Sequence, residues 1–61
     1  MSAETRVRTL AAESLAAAKQ HSPVLSHRRS FIEGCWQVAV SIHPEIKEHR
    51  DLYTSLTKGG R

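Results

Sequence analysis

Cysteine occurs once in the 61 residues, proline twice and glycine three times, and the aromatic set is one Trp, one Tyr and one Phe. The lone Cys35 excludes an internal disulfide and fits a reducing compartment. Long apolar runs are lacking as well: stretches such as Ala16–Ala18 and Val38–Val40 fall far short of the roughly 20 residues that span a bilayer. The opening MSAETRVRTL mixes Glu with Arg and has no signal-peptide core. A cytoplasmic protein without membrane contact is therefore expected.

What is present belongs to a folded chain. Charged residues make up 25% and hydrophobic residues 39%, a balance unlike that of a disordered tail. The length, 61 residues, bounds the chain to a single small domain over 1–61. Domains near this size bury only about 60% of their unfolded surface, and those lacking disulfides or metal often oligomerise. Net charge is +3, which admits polyanions, yet the nine Lys and Arg are spread along the chain. Only Arg28-Arg29, flanked by His27, forms a local basic knot.

The segment Phe31–Ile42, FIEGCWQVAVSI, is too apolar for so small a protein: eight of its twelve residues are apolar, including the only Trp, Phe and Cys. Such a surplus must meet a second copy of the chain or another protein.

Helical periodicity organises the rest. Residues 2–20 read as a first helix, with no Gly or Pro inside it and six alanines favouring it. Ala3, Val7, Leu10, Ala11, Leu15 and Ala18 share an arc of about 140°. Ser14 lies inside that arc, where its hydroxyl can bond back to a helical carbonyl. Ser2 is the expected N-cap, with Glu4 near the positive end of the dipole. Ser22-Pro23 reads as an N-cap followed by Pro at N1, so a second helix is expected over 23–42, with Gly34 costing it about 1 kcal/mol relative to Ala.

A strand competes for the end of that segment, because Trp36, Val38, Val40 and Ile42 alternate with Gln37, Ala39 and Ser41. Helix is preferred, since no second strand candidate exists outside a dimeric ribbon. His43-Pro44 repeats the break, and a third helix is expected over 44–58, ended by Gly59-Gly60 with 59–61 as a frayed tail. Ile46, His49, Leu52, Tyr53 and Leu56 fall within about 120° on it. The expected fold is all-α, a helical hairpin plus a third short helix, homodimeric through the central helix.

No constellation names a reaction. His21, His27, His43 and His49 lack the i,i+3 or i,i+4 spacing of metal pairs on a helix, so no metal or other cofactor is expected. Cys35 sits mid-helix among apolar neighbours, away from the electropositive setting a thiol nucleophile needs. No phosphate loop, carboxylate pair or Ser/His/Asp set is recognisable, and a non-enzymatic protein is expected.

Two functions remain. Trp, Tyr, Phe and Arg dominate interface energies, and Phe31, Ile32, Cys35, Trp36, Ala39, Val40 and Tyr53 are the candidate interface residues of a small regulator or adaptor. Its partners would be a second copy and a further, unidentified protein. Trp36 and Phe31 could equally fill the intramolecular core. The alternative is a dimeric nucleic-acid binder using Arg6, Lys19, Arg28 and Arg29. Against a helix-turn-helix, the third helix opens with Glu45 and Glu48, which would repel phosphate.

Overall fold

A computed structural model describes residues 2–58 as three helices packed together. Helix α1 spans Ala3–His21 and α2 spans Leu25–Ile42; a 3-10 segment over Pro44–His49 leads directly into α3, Arg50–Lys58. The expected termination of the third helix at Gly59-Gly60 and the frayed tail over 59–61 lie outside the described residues. Among the described residues no helix is long and apolar enough to cross a membrane.

Local chemistry explains each boundary. Ser2 caps α1: its Oγ accepts from Thr5 N at 3.2 Å, satisfying one of the orphan donors of the first turn. At the other end Ser22 N donates to Ala18 O, and Ser22 leaves the helix in an extended conformation. Helix α2 begins at Leu25, not at Pro23, which corrects the reading of Ser22-Pro23 as N-cap and N1. Ser22 closes α1 instead, and its Oγ accepts from Val24 N two residues on, so the hydroxyl shapes the turn rather than a helix start. Val24 then occupies the N-cap with no side-chain bond. Arg28 steadies the turn by donating from Nε to Ser22 O at 2.7 Å.

The second break is sharper. His43 N still donates to Ala39 O, and Pro44 starts the next element at its first position. The expectation of one α-helix over 44–58 is corrected here, because the first six residues wind as 3-10. The tighter winding begins where Ile46 N donates to His43 O.

Helix α2 is helical through Ile42, so the ribbon alternative for 35–42 is not formed. The buried core is Val7 and Ala11 of α1, Trp36 of α2, Ile46 of the 3-10 segment and Tyr53 of α3. Leu10, Ile32, Ala39, Val40, Leu52 and Leu56 pack against it half-buried. Trp36 and Tyr53 lie with ring centroids 4.8 Å apart, the central aromatic contact. The small residues Ser14 and Ala18 are the remainder of the buried stripe of α1. Ser14 does not bond back to a carbonyl: its buried Oγ has no hydrogen-bond partner among the described residues.

Candidate protein-binding groove

The hairpin runs α1 antiparallel to α2. The start of α1 therefore meets the end of α2, where Arg6 lies 3.1 Å from His43 Nε2. At the opposite end His21 stacks on Phe31 with centroids 4.9 Å apart. Because a guanidinium only donates, His43 Nε2 is the acceptor of that contact, and His43 Nδ1 lies 3.7 Å from Glu45 Oε2.

Between these two ends the outer faces of the helices form a groove of about 740 Å3. Helix α2 contributes Phe31, Gly34, Cys35, Val38, Ala39 and Ile42; α1 contributes Arg6, Thr9, Leu10 and Glu13, and His43 closes one end. The floor is apolar and the polar groups stand at its rim. Val38 is 62% exposed and Ile42 65%, values that leave two branched aliphatics in water without intramolecular cover. Their position follows from α2 itself: Gly34, Val38 and Ile42 recur every four residues and so form one ridge. The ridge lies outside the face that Trp36, Ala39 and Val40 turn to the core.

The structure divides the seven candidate interface residues between two environments. Phe31, Cys35 and Ala39 line the groove, all half-buried. Trp36 and Tyr53 are 5% and 1% exposed and fill the intramolecular core, while Ile32 and Val40 pack against that core. Sequence reasoning passed over Val38 and Ile42 as site residues. The signal was available: removing the arc needed by the core from the wide apolar face of α2 leaves the 34-38-42 ridge. Which arc the core needs, however, depends on where α3 packs.

Within one protomer Arg6 stands apart from Arg28 and Arg29. Arg28 and Arg29 line a cleft of about 460 Å3 between α2 and α3, with Arg50 and Lys58 across from them and Leu25, Ile32 and Tyr53 among its walls. Arg6 is instead at the groove rim, and Lys19, exposed in the last turn of α1, does not line the cleft. Glu33 is the acidic residue of the cleft and is held by Arg50 through two bonds, 2.7 Å to Oε1 and 3.2 Å to Oε2. Those Arg50 hydrogen bonds keep the Glu33 carboxyl below its usual range, against a smaller opposing effect of desolvation. Arg50 also lies over Trp36 at 5.3 Å and Tyr53 at 5.9 Å from the ring centroids.

Tyr53 is the other shifted group. Burial pushes its phenol above the ordinary value. Among the described residues no three His, Cys, Asp or Glu side chains gather where one metal ion could be held. No protein-family model matches the chain, and comparison with curated proteins and with solved structures found no match.

Proposed function

We propose that the chain is a small non-enzymatic regulatory or adaptor protein that acts by helix-mediated protein–protein binding, with the α1/α2 groove as its docking face. The observation that carries this reading is the exposure of Val38 and Ile42 beside Phe31, Cys35 and Ala39 on one continuous stripe. Both side chains are about two-thirds exposed, so covering either is worth about 1–2 kcal/mol, a strong drive in a domain whose whole stability is of order 5 kcal/mol. A shallow apolar channel between two helices suits a third helix laid along it, with side chains at i, i+4 and i+8 as anchors. On this reading the partners are a second copy of the chain and a further protein.

The test is site-specific photo-crosslinking in the native cells, with the reactive group at Val38 and, as control, at exposed Ser26 outside the groove. The expected result is a discrete polypeptide adduct from position 38, absent from position 26 and lost on Ile42→Glu. Equal adducts from both positions, or none from position 38, would sink the reading.

A second reading is favoured by one observation, the gathering of Arg28, Arg29, Arg50 and Lys58 on the α2/α3 cleft with Glu33 as its acidic residue. Four cations within one cleft suit contacts to a nucleic-acid backbone, whose binding must weaken steeply with salt. Gel-shift titrations of mixed DNA and RNA at two salt concentrations test it. Binding that is salt-sensitive and lost on Arg29→Ala with Lys58→Ala supports nucleic-acid binding, and no shift at low salt removes it.

A further inference from the structure

We infer that the occupant of the groove is a second copy of this chain, packed antiparallel about a two-fold axis at Val38. This rests on the docking role proposed for the groove and goes on to name its partner, register and orientation.

Gly34 supplies the first argument. It stands in the middle of an 18-residue helix, where glycine costs about 1 kcal/mol relative to alanine. Nothing among the described residues requires it: its backbone is not in the left-handed region, and a Cβ built there meets none of their atoms within 4 Å. The missing side chain thus leaves a hollow on the surface of α2, at the floor of the groove.

Ile42 supplies the second. It is the most exposed large apolar side chain among the described residues, at 65%, and lies two turns beyond Gly34 on the same ridge. Val38 falls midway, four residues from each. Reversing a second α2 over the first about Val38 therefore places each Ile42 at the level of the partner's Gly34. The protruding side chain of one copy enters the hollow of the other, twice, and the two Val38 side chains meet on the axis. Ridges of i±4 spacing interdigitating in this way give the commonest class of helix crossing.

The charges at the rim agree with that orientation. Because α1 is antiparallel to α2, the same rotation turns the Arg6 end of one α1 toward the Glu13 end of the other. A parallel pairing about α2 would set Ile42 against Ile42 with the hollows left empty.

The experiment uses the purified chain. Sedimentation velocity across a concentration series is expected to show a dimer, weakened about 100-fold or more by Ile42→Glu, which buries two charges per dimer in place of two apolar side chains. Gly34→Leu should also give a monomer while far-UV circular dichroism stays helical, because Gly34 is exposed on its own protomer and a Cβ there meets no atom within 4 Å. Arg6→Glu should weaken the dimer, and Arg6→Glu with Glu13→Arg should restore it.

Orientation is read by disulfide trapping in a Cys35→Ser background. Positions 34 and 42 are about 12 Å apart along one helix, too far for a bond within a chain. The combined Gly34→Cys and Ile42→Cys variant is expected to form a covalent dimer, and neither single variant should. Cross-linking of each single variant would overturn the antiparallel register. A wild-type chain that stays monomeric would overturn self-pairing altogether. In that case, an adduct from position 38 to a different polypeptide would still leave the groove a docking face.

Discussion

Tyr53 Oη donates to the main-chain carbonyl of Ile32 at 2.7 Å, tying α3 to the middle of α2 through the largest fully buried side chain among the described residues. This bond and the Trp36 ring beside it fix the position of α3 on the hairpin. Tyr53→Phe keeps the ring and removes only the hydroxyl. Ile32 O retains its place in the helical ladder, so no buried acceptor is orphaned, and the loss should be about 1 kcal/mol. Urea unfolding followed by Trp36 fluorescence measures it. A midpoint unchanged from wild type would show that the bond contributes nothing.

The same phenol predicts alkaline behaviour. Burial raises the folded-state pKa of Tyr53 above its ordinary value near 10. Above the unfolded value the unfolded chain ionises while the folded chain still holds the neutral phenol. Stability should therefore be fully present below about pH 10 and fall as pH rises beyond it. Tyr53→Phe should remove that part of the decline, so the two melting-temperature profiles converge at high pH.

Glu33 has the opposite sign. Its folded pKa is depressed by Arg50, so the pair contributes stability above the ordinary carboxylate pKa and loses it as pH falls through the folded value. The pair is nearly half exposed, which limits its worth to about 0.5–1 kcal/mol. Arg50→Ala should forfeit this and the contact over Trp36 and Tyr53, for about 1–2 kcal/mol in all. Arg50→Lys should recover only part, since an ammonium cannot make the two-pronged contact. Thermal melts at neutral and acidic pH would show the Arg50→Ala deficit shrinking toward low pH; a pH-independent deficit would refute the ionic share.

Ser14 offers a change in the favourable direction. Its Oγ is buried without a hydrogen-bond partner among the described residues, and serine is a poorer helix former than alanine. Ser14→Ala should raise stability by about 1 kcal/mol through loss of the orphaned hydroxyl and the gain in helix propensity. Destabilisation in the urea midpoint would mean that the hydroxyl does find a partner in solution.

Much of the fold was legible from local rules. The alanine-rich stretch without Gly or Pro, the Ser2 cap and the His43-Pro44 break specify helices through backbone chemistry, which acts within a few residues. The errors at Ser22-Pro23 and at the start of the third element arose at turns, where two local solutions compete. Ser22 could cap the following helix or close the preceding one, and packing of the hairpin selected the second.

The candidate site was half legible for a related reason. Periodicity marks an apolar face on α2 too wide for one neighbour, but assigns no residue on that face to core or surface. Only the docking of α3 decided it: Tyr53 and Arg50 claimed Trp36 and Ile32, leaving Phe31, Val38 and Ile42 at the opposite side. The antiparallel hairpin likewise separated Arg6 from Arg28 and Arg29, and α3 supplied Arg50 and Lys58 to them. The sequence alone determined three helices and a surplus of apolar surface, because hydrogen bonding and side-chain period are local. Which side chains form that surplus is a matter of contacts between elements distant in the chain, and tertiary packing alone decided it.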